Sequence, residues 1–131
     1  MSNEYQDWHR DIVSELNTRM RDADFLPDGW TSTFIPAMKR DLVDVLGSYV
    51  YDFIILDVKE KYGAMRAYWA WADRDYDENE AQDRNELTNK IEAIISKYEK
   101  ISENTCAICG KPATKFTTGW VWPVCDEHEY L

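Results

Sequence analysis

The hydrophobic pattern near the start of the chain predicts an amphipathic helix over residues 4 to 22. Apolar side chains recur there at every fourth position, as they do on one face of a helix. The recurring residues are Trp8, Ile12, Leu16 and Met20. Asn3 and Gln6 stand three positions apart, which is the spacing of a capping box, so the helix is expected to begin beside them.

A second amphipathic helix is predicted after a turn at Pro27-Asp28-Gly29. The threonines at 31 and 33 offer hydroxyl groups for a cap, and Pro36 falls in the first turn, where its missing amide hydrogen costs little. Gly47 is placed to end the helix. The inward positions of this helix are Phe34, Met38, Leu42, Val45 and Leu46.

The spacing of hydrophobic residues changes in the segment 53 to 71. β-branched and aromatic side chains dominate there, which predicts a β-hairpin. We expect a two-residue turn at Gly63-Ala64, which pairs Tyr62 with Met65. In that register one face of the hairpin is apolar except for Glu60. The apolar residues of this face are Leu56, Val58, Tyr62, Met65, Trp69 and Trp71.

The cations of the hairpin, Lys59, Lys61 and Arg66, are candidate partner-binding residues. The predicted register places Lys61 directly opposite Arg66. Two like charges in this position repel each other unless an anion or a carboxylate pairs with them. Arg66 can hold a phosphate or a partner carboxylate through two hydrogen bonds. The alternative is that the cations pair with Asp57, with Glu60 or with the acidic helix that follows, as most surface charges do.

The longest helical pattern covers residues 80 to 102, after an acidic segment at residues 73 to 80. Its apolar stripe consists of Leu87, Ile91, Ile94, Ile95, Tyr98 and Ile101. Aspartates at alternate positions in the acidic segment imitate the opening of a calcium loop. However, Glu78 and Arg84 stand where that loop needs glycine and glutamate, which argues against calcium.

Two interpretations of the acidic segment remain. Its carboxylates favour the positive N-terminal end of the following helix and stay solvated. Alternatively, they form a surface that competes for a basic groove on a partner. The residues of this candidate surface are Asp73, Asp75, Asp77, Glu78 and Glu80.

The chemistry of the last twenty-six residues points to a metal. Two close pairs, Cys106-x2-Cys109 and Cys125-x2-His128, are separated by fifteen residues. Thiolate and imidazole ligands at this spacing predict a tetrahedral zinc site, and three cysteines cannot all form disulfides. Four protein ligands leave no open position, so the zinc is expected to be structural. The aromatic residues Trp120 and Trp122, with Pro123, predict a short strand that packs on the body.

Composition narrows the class of protein. The 131 residues, 44% of them hydrophobic, suit one domain, and no apolar run is long enough for a membrane span. Reduced cysteines and a polar start suggest a cytoplasmic protein. The net charge is −10, and residues 71 to 104 carry ten acids against five bases. The predicted zinc tail has only Lys111 and Lys115 as cations, which argues against direct binding of nucleic acid.

Signatures of catalysis are missing from the sequence. It has no P-loop, no dinucleotide-binding glycines, no H-E-x-x-H motif and no second histidine near the tail of the kind an HNH nuclease needs. His9 is expected to be a surface residue. These observations predict that the protein is not an enzyme.

Two stretches resemble a group of small bacteriophage and bacterial proteins. The first is the run V-K-E-K-Y-G-A-M-R-A-Y from Val58 to Tyr68, and the second combines C-A-I-C-G, G-W and C-D-E-H between Cys106 and His128. The group shares a K-E-K-[FY]-G-x-[LM]-R-x-Y hairpin and a CxxCG…GW…CDxH tail. The resemblance implies a phage or prophage origin and a zinc tail, but no activity. Ala64 and Ala67 stand at the two variable positions of this hairpin pattern, where the group usually has glycine and an aromatic residue.

We therefore predict an α+β fold with two N-terminal helices, a β-hairpin, a long helix and a C-terminal zinc knuckle in one compact domain. Residues 1–104 form the body, and residues 105–131 form the knuckle docked on it. The expected function is that of an acidic protein-interaction module, encoded by a phage, that inhibits a bacterial defence complex of CRISPR type or another nucleic-acid-handling complex. The alternatives are a nucleic-acid-binding accessory protein that uses the basic hairpin face, and a metal-dependent hydrolase.

Overall fold

A computed structural model describes the backbone of residues 3 to 129 and the side chains of residues 9 to 129. Helix α1 spans Asn3–Arg19, and a 3-10 helix follows at Arg21–Phe25, so the predicted helical stretch changes type after α1. Ile12, Leu16 and Met20 are buried, as predicted. Trp8 and the predicted capping pair lie outside the described side chains.

The second predicted helix is divided into α2 (Asp28–Thr31) and α3 (Ile35–Leu46). The predicted threonine cap is wrong, because Phe34 occupies the N-cap position of α3 without a side-chain hydrogen bond. The Thr33 hydroxyl instead donates to the Gly29 carbonyl oxygen at 2.6 Å. Pro36 lies in the first turn of α3 and Gly47 follows its last residue, as expected. A 3-10 helix at Gly47–Asp52 then leads into the hairpin.

Strands β1 (Phe53–Lys61) and β2 (Ala64–Trp71) form the predicted antiparallel hairpin, but its turn lies one residue earlier than expected. Lys61 pairs with Ala64, so Tyr62 and Gly63 are the two turn residues. Their φ angles are 53° and 88°. Positive φ at both central residues is the type I′ geometry, whose twist matches that of the flanking strands, and glycine serves best at the second position.

The predicted apolar face is wrong at Leu56 and Tyr62, which are 63% and 81% exposed. The pairing shifts register between Ile55 and Asp57, so Leu56 is an extra residue in β1. Such a bulge reverses which alternate residues face inward. The hairpin residues that belong to the main core cluster or pack against it are Phe53, Ile55, Val58, Met65, Ala67, Trp69 and Trp71.

Helix α4 (Glu78–Glu103) covers the hairpin and α3. Two of its side chains accept hydrogen bonds from backbone amides of β2: Ser102 Oγ from Met65 at 2.8 Å and a Glu99 carboxylate oxygen from Ala67 at 3.3 Å. The helix therefore satisfies these two amides of β2. No described helix has both the length and the apolar character needed to cross a membrane.

The chain passes from α4 directly into the C-terminal tail, where β3 (Lys115–Phe116) pairs with β4 (Pro123–Val124). A short 3-10 helix at Asp126–His128 ends the described chain. The fold is α+β, as predicted, with helices around one antiparallel hairpin and a cysteine and histidine cluster of the knuckle type at the end.

Candidate metal centre

The tail brings the four predicted ligand side chains together. The Sγ atoms of Cys106, Cys109 and Cys125 and a ring nitrogen of His128 all lie within 4.8 Å of one another. The Sγ atoms of Cys109 and Cys125 are 3.7 Å apart, and the His128 Nδ1 lies 3.3 Å from Cys125 Sγ and 3.7 Å from Cys106 Sγ. A disulfide needs about 2.05 Å, and all three thiols are free. The arrangement is compatible with a metal site.

Local backbone geometry explains why the two pairs converge. The Gly110 amide donates to the Cys106 carbonyl oxygen at 3.0 Å, which closes the turn that carries the first pair. The His128 amide donates to the Cys125 carbonyl oxygen at 3.1 Å and folds the second pair in the same way. The Ala107 amide donates to the Pro123 carbonyl oxygen at 2.8 Å, which joins the two turns.

Burial and hydrogen bonding shift the pKa values of two of the three thiols. Burial raises the pKa of the Cys106 thiol, but hydrogen bonds from the amides of Cys109, Cys125 and Ile108 outweigh it and lower the pKa to about 6. Burial raises the pKa of Cys125, and the neighbouring thiols of Cys109 and Cys106 raise it further. Thiolates are the form of cysteine that binds metals, so three sulfur atoms packed this closely form an arrangement that a bound cation would stabilise.

The knuckle is docked on the body through Gly29 and Trp30. The Gly29 amide donates to the Ala107 carbonyl oxygen at 2.8 Å, and the indole N–H of the fully buried Trp30 donates to the Thr105 carbonyl oxygen at 3.0 Å. The sequence offered only a glycine beside a tryptophan as a signal for this contact. Trp30 therefore escaped prediction, although it lies next to the turn that carries Cys106 and Cys109.

The structure places the two tryptophans of the tail differently from the prediction that they pack on the body: one packs within the knuckle itself, and the other is exposed. Trp122 is partly buried against Cys106, Val124 and Cys125. Trp120 is 73% exposed and lies in the loop between β3 and β4. The predicted strand is β4 and begins only at Pro123, so Trp120 precedes the paired residues.

Some residues of the acidic segment form hydrogen bonds within the protein, and the others are exposed to solvent. Asp77 caps α4, and its carboxylate accepts from the Glu80 amide at 2.8 Å. Glu80 completes the capping box and also binds Arg74 at 2.6 Å. The side chains of Asp73, Asp75 and Glu78 are exposed and form no hydrogen bond or ion pair with any described residue.

A cluster of charged and aromatic side chains anchors this segment. Arg74 donates two hydrogen bonds to the Asp52 carboxylate, at 2.9 and 2.6 Å, and they are the main reason that the pKa of Asp52 is lowered. The buried guanidinium of Arg84 lies 3.5 Å from the same carboxylate. It also stacks 4.2 Å from the Tyr76 ring centre and 5.3 Å from that of Trp71. Arg84, at the position where a calcium loop needs glutamate, is thus an interior residue.

The hairpin cations are arranged differently from the predicted register. Arg66 lies opposite Lys59 and not opposite Lys61. Each of the two facing cations has a carboxylate partner: Lys59 contacts Asp57 at 3.2 Å, and Arg66 contacts Glu103 at 3.8 Å. Lys61 is exposed and forms no ion pair within the described part of the chain. The interpretation that these cations mainly pair with nearby acids therefore holds for Lys59 and Arg66.

The four-residue cluster is the only group of three or more possible metal ligands found among residues 9 to 129. His9 is exposed and lies outside it. The chain matches no protein family model, no curated protein and no solved structure. The function has to be inferred from the residues themselves.

Proposed function

We propose that the cluster binds one zinc ion and that the metal has a structural role. Bond lengths of about 2.3 Å to sulfur and about 2.0 Å to nitrogen in a tetrahedron place two sulfur ligands about 3.8 Å apart, and a sulfur and a nitrogen about 3.5 Å apart. The distance between Cys109 and Cys125 is 3.7 Å, and the two from the His128 ring are 3.3 and 3.7 Å. Cysteine and histidine ligands in this geometry suit zinc.

The zinc-closed tail stabilises a small acidic protein-interaction module that is not an enzyme. Three cysteines and one histidine fill a tetrahedron, so no position remains at which the metal could activate water. This geometry supports a structural role over the alternative of a metal-dependent hydrolase. The module acts in the bacterial cytoplasm as a phage-encoded inhibitor of a defence complex, of CRISPR type or another that handles nucleic acid.

The outward carboxylates of the acidic segment carry this proposal. Asp73, Asp75 and Glu78 point to solvent, whereas the cap and Arg74 hold the backbone beside them. A fixed row of negative charges is suited to a partner surface that normally binds phosphates. The partner is therefore a protein with a basic nucleic-acid-binding groove, and the chain blocks this groove.

The alternative of a nucleic-acid-binding accessory protein depends on Lys59, Lys61 and Arg66. Lys59 and Arg66 already form ion pairs with carboxylates of the same chain. A cation that is paired within the protein releases few counterions from a nucleic acid, so little affinity is expected from Lys59 and Arg66. Lys61 is then the single cation of the three without an ion pair in the described part of the chain. The geometry favours the acidic interaction module.

The proposal can be tested by capturing partners from bacterial lysate with three tagged proteins and comparing what each one retains. The first is the wild type, and the second carries Asp73→Asn, Asp75→Asn and Glu78→Gln. The third carries Asp11→Asn, Asp22→Asn and Glu86→Gln, which remove the same charge from other exposed positions. Asp77 and Glu80 are left unchanged because they form the cap. Each lysate is tested with and without nuclease.

We expect the wild type and the control variant to retain the same nucleic-acid-handling complex after nuclease treatment and to inhibit its purified form. The acidic-segment variant should lose both properties. Equal inhibition by all three proteins would contradict the role of the acidic segment. Retention that disappears on nuclease treatment would favour the accessory-protein alternative.

A further inference from the structure

Two aromatic side chains stand almost fully exposed at the end of the hairpin that lies next to the knuckle. Tyr62 in the hairpin turn is 81% exposed, and Trp120 in the loop between β3 and β4 is 73% exposed. Together with Gly119, Val121, Glu60 and Lys61 they line a cleft of about 300 Å³. The hydroxyl of Tyr62 and the indole N–H of Trp120 have no hydrogen-bond partner among the described residues. Exposed tryptophan and tyrosine are the residue types that dominate binding energy at interfaces.

Tyr62 occupies a backbone conformation that tyrosine disfavours. Its φ is 53°, and bulky residues with positive φ cost free energy, whereas asparagine and glycine adopt this conformation readily. The exposed ring contributes little packing that could offset this cost. Strain that is retained without a packing gain points to a functional role for the side chain.

The tip of the hairpin is held firmly against the knuckle. A methyl group added at Gly63 would lie 2.9 Å from a ring carbon of Phe116 and 3.2 Å from a methyl carbon of Val121. Both contacts come from the segment that also carries Trp120. The knuckle therefore places the loop that carries Trp120 beside the turn that carries Tyr62, and both residues line one cleft.

The cleft carries no net charge. Glu60 and Lys61 offset each other within it. The two lysines of the tail form ion pairs with acids, Lys111 with Glu127 and Lys115 with Glu129. Such neutral surroundings do not complement the negative charge of a nucleic acid or the positive charge of a highly basic peptide. The charge balance favours an uncharged occupant.

We infer that the Tyr62–Trp120 cleft binds a proline-rich segment of a partner protein in the polyproline II conformation. Rings of proline pack on exposed aromatic side chains, and this helix leaves its carbonyl oxygens without internal hydrogen bonds. The indole N–H of Trp120 and the hydroxyl of Tyr62 can donate to those oxygens. The eight residues of β2 extend over about 26 Å, so the cleft and the acidic segment lie at opposite ends of the hairpin.

Titration of the zinc-loaded full chain with decaproline tests this inference. Binding is followed in ¹⁵N NMR spectra by the backbone amide signals of Gly63 and Gly119, which both cleft variants keep, and by the indole N–H signal of Trp120 where that residue is present. A (Gly-Ser)₅ peptide is the neutral control, and a twelve-residue thymidine strand and an (Arg-Gly-Gly)₃ peptide are the charged competitors. We expect saturable shifts with decaproline only. Trp120→Ala and Tyr62→Asn should each raise the Kd at least about tenfold. Phe25→Ala, which removes an aromatic ring 83% exposed elsewhere, should leave it unchanged.

Tyr62→Asn keeps the test informative because asparagine suits the turn and the fold is retained. Absence of decaproline binding, equal binding of the glycine and serine peptide, or tighter binding of the thymidine strand or the arginine peptide would overturn the inference. Decaproline binding that both cleft variants retain would also overturn it. The variant with Asp73, Asp75 and Glu78 replaced by amides should bind decaproline normally, so a failure of the proposed inhibitor function would be seen separately.

Discussion

Gly29 of the body and Gly110 of the knuckle are in direct backbone contact. A methyl group added to Gly29 would lie 2.7 Å from the Gly110 nitrogen and 2.0 Å from the Cys106 carbonyl oxygen. One added to Gly110 would lie 2.9 Å from the Gly29 carbonyl oxygen. These three contacts are with backbone atoms, which cannot move aside as a flexible side chain can, and a methyl group at Gly110 would also lie 2.2 Å from the Thr33 side chain. The absence of two side chains is thus what lets the turn that carries Cys106 and Cys109 lie against α2.

Gly29→Ala is expected to lower the free energy of unfolding by about 2 to 4 kcal/mol, because the added methyl group overpacks this contact. Without the contact, alanine in a helix would stabilise the protein by up to about 1 kcal/mol, so the sign of the change is decisive. Urea unfolding of the zinc-loaded protein measures it. Ser32→Ala, at the exposed end of α2, should change stability by less than about 0.5 kcal/mol.

Metal analysis of the purified chain should give one zinc ion per molecule. Cys106→Ser and His128→Ala should each reduce the zinc content strongly, because either change removes one of four ligands. His9→Ala is the matched control, since the second histidine of the chain lies outside the cluster and its loss should leave the content at one. Equal zinc content in all variants would contradict the assigned ligands.

Removal of the metal with a chelator should release the knuckle from the body. The ion contributes an apparent free energy on the order of 10 kcal/mol in small zinc modules, so the tail cannot hold its shape without it. Hydrogen exchange should then become fast at the Ala107 and Gly110 amides, and it should stay slow at Met65 and Ala67 in the hairpin. Slow exchange throughout the metal-free chain would show that packing alone holds the knuckle.

Asp52 should make stability depend on pH. Hydrogen bonds from Arg74 and the nearby charge of Arg84 lower its pKa from the ordinary 3.8, so the folded state binds the proton less tightly than the unfolded state. The stabilisation is therefore fully present above pH 3.8 and is lost as the pH falls through the lower folded pKa. Asp52→Asn should cost about 2 to 3 kcal/mol at pH 7, because the buried Arg84 loses its counter-ion.

The measurement for Asp52 is the difference in unfolding free energy between wild type and variant over pH 7 to 3. This difference should shrink at the acid end, whereas that for the exposed Asp22→Asn should stay near zero throughout. Comparison at equal pH cancels the effect of acid on the metal ligands. A difference that stays constant with pH would contradict the ionic role of Asp52.

Tyr62→Asn should stabilise the protein, in addition to its expected effect on the cleft. Asparagine followed by glycine is the preferred pair in a type I′ turn, so the change should raise the unfolding free energy by about 0.5 to 1 kcal/mol and the Tm by about 2 to 4 °C. Tyr62→Ala removes the ring but not the strain and should give no such gain. A lower Tm for Tyr62→Asn would show that the ring packs and is not strained.

The sequence alone determined the features that depend on local spacing. The cysteine and histidine pairs identify Cys106, Cys109, Cys125 and His128, because turns at both pairs bring ligands into reach whatever the rest of the fold does. The buried stripes of α1, α3 and α4 follow from helical periodicity in the same way. These predictions needed no knowledge of which elements pack together.

The tertiary structure decided the features that depend on distant neighbours. The bulge at Leu56 and the turn at Tyr62 depend on how the hairpin packs against α4 and the knuckle, and a shift of one residue exposes a whole set of side chains. The contact of Trp30 with Thr105 joins residues 75 positions apart. The meeting of Tyr62 with Trp120 likewise exists only after both loops have docked. Local sequence specifies the elements, but close packing between elements sets their register and contacts.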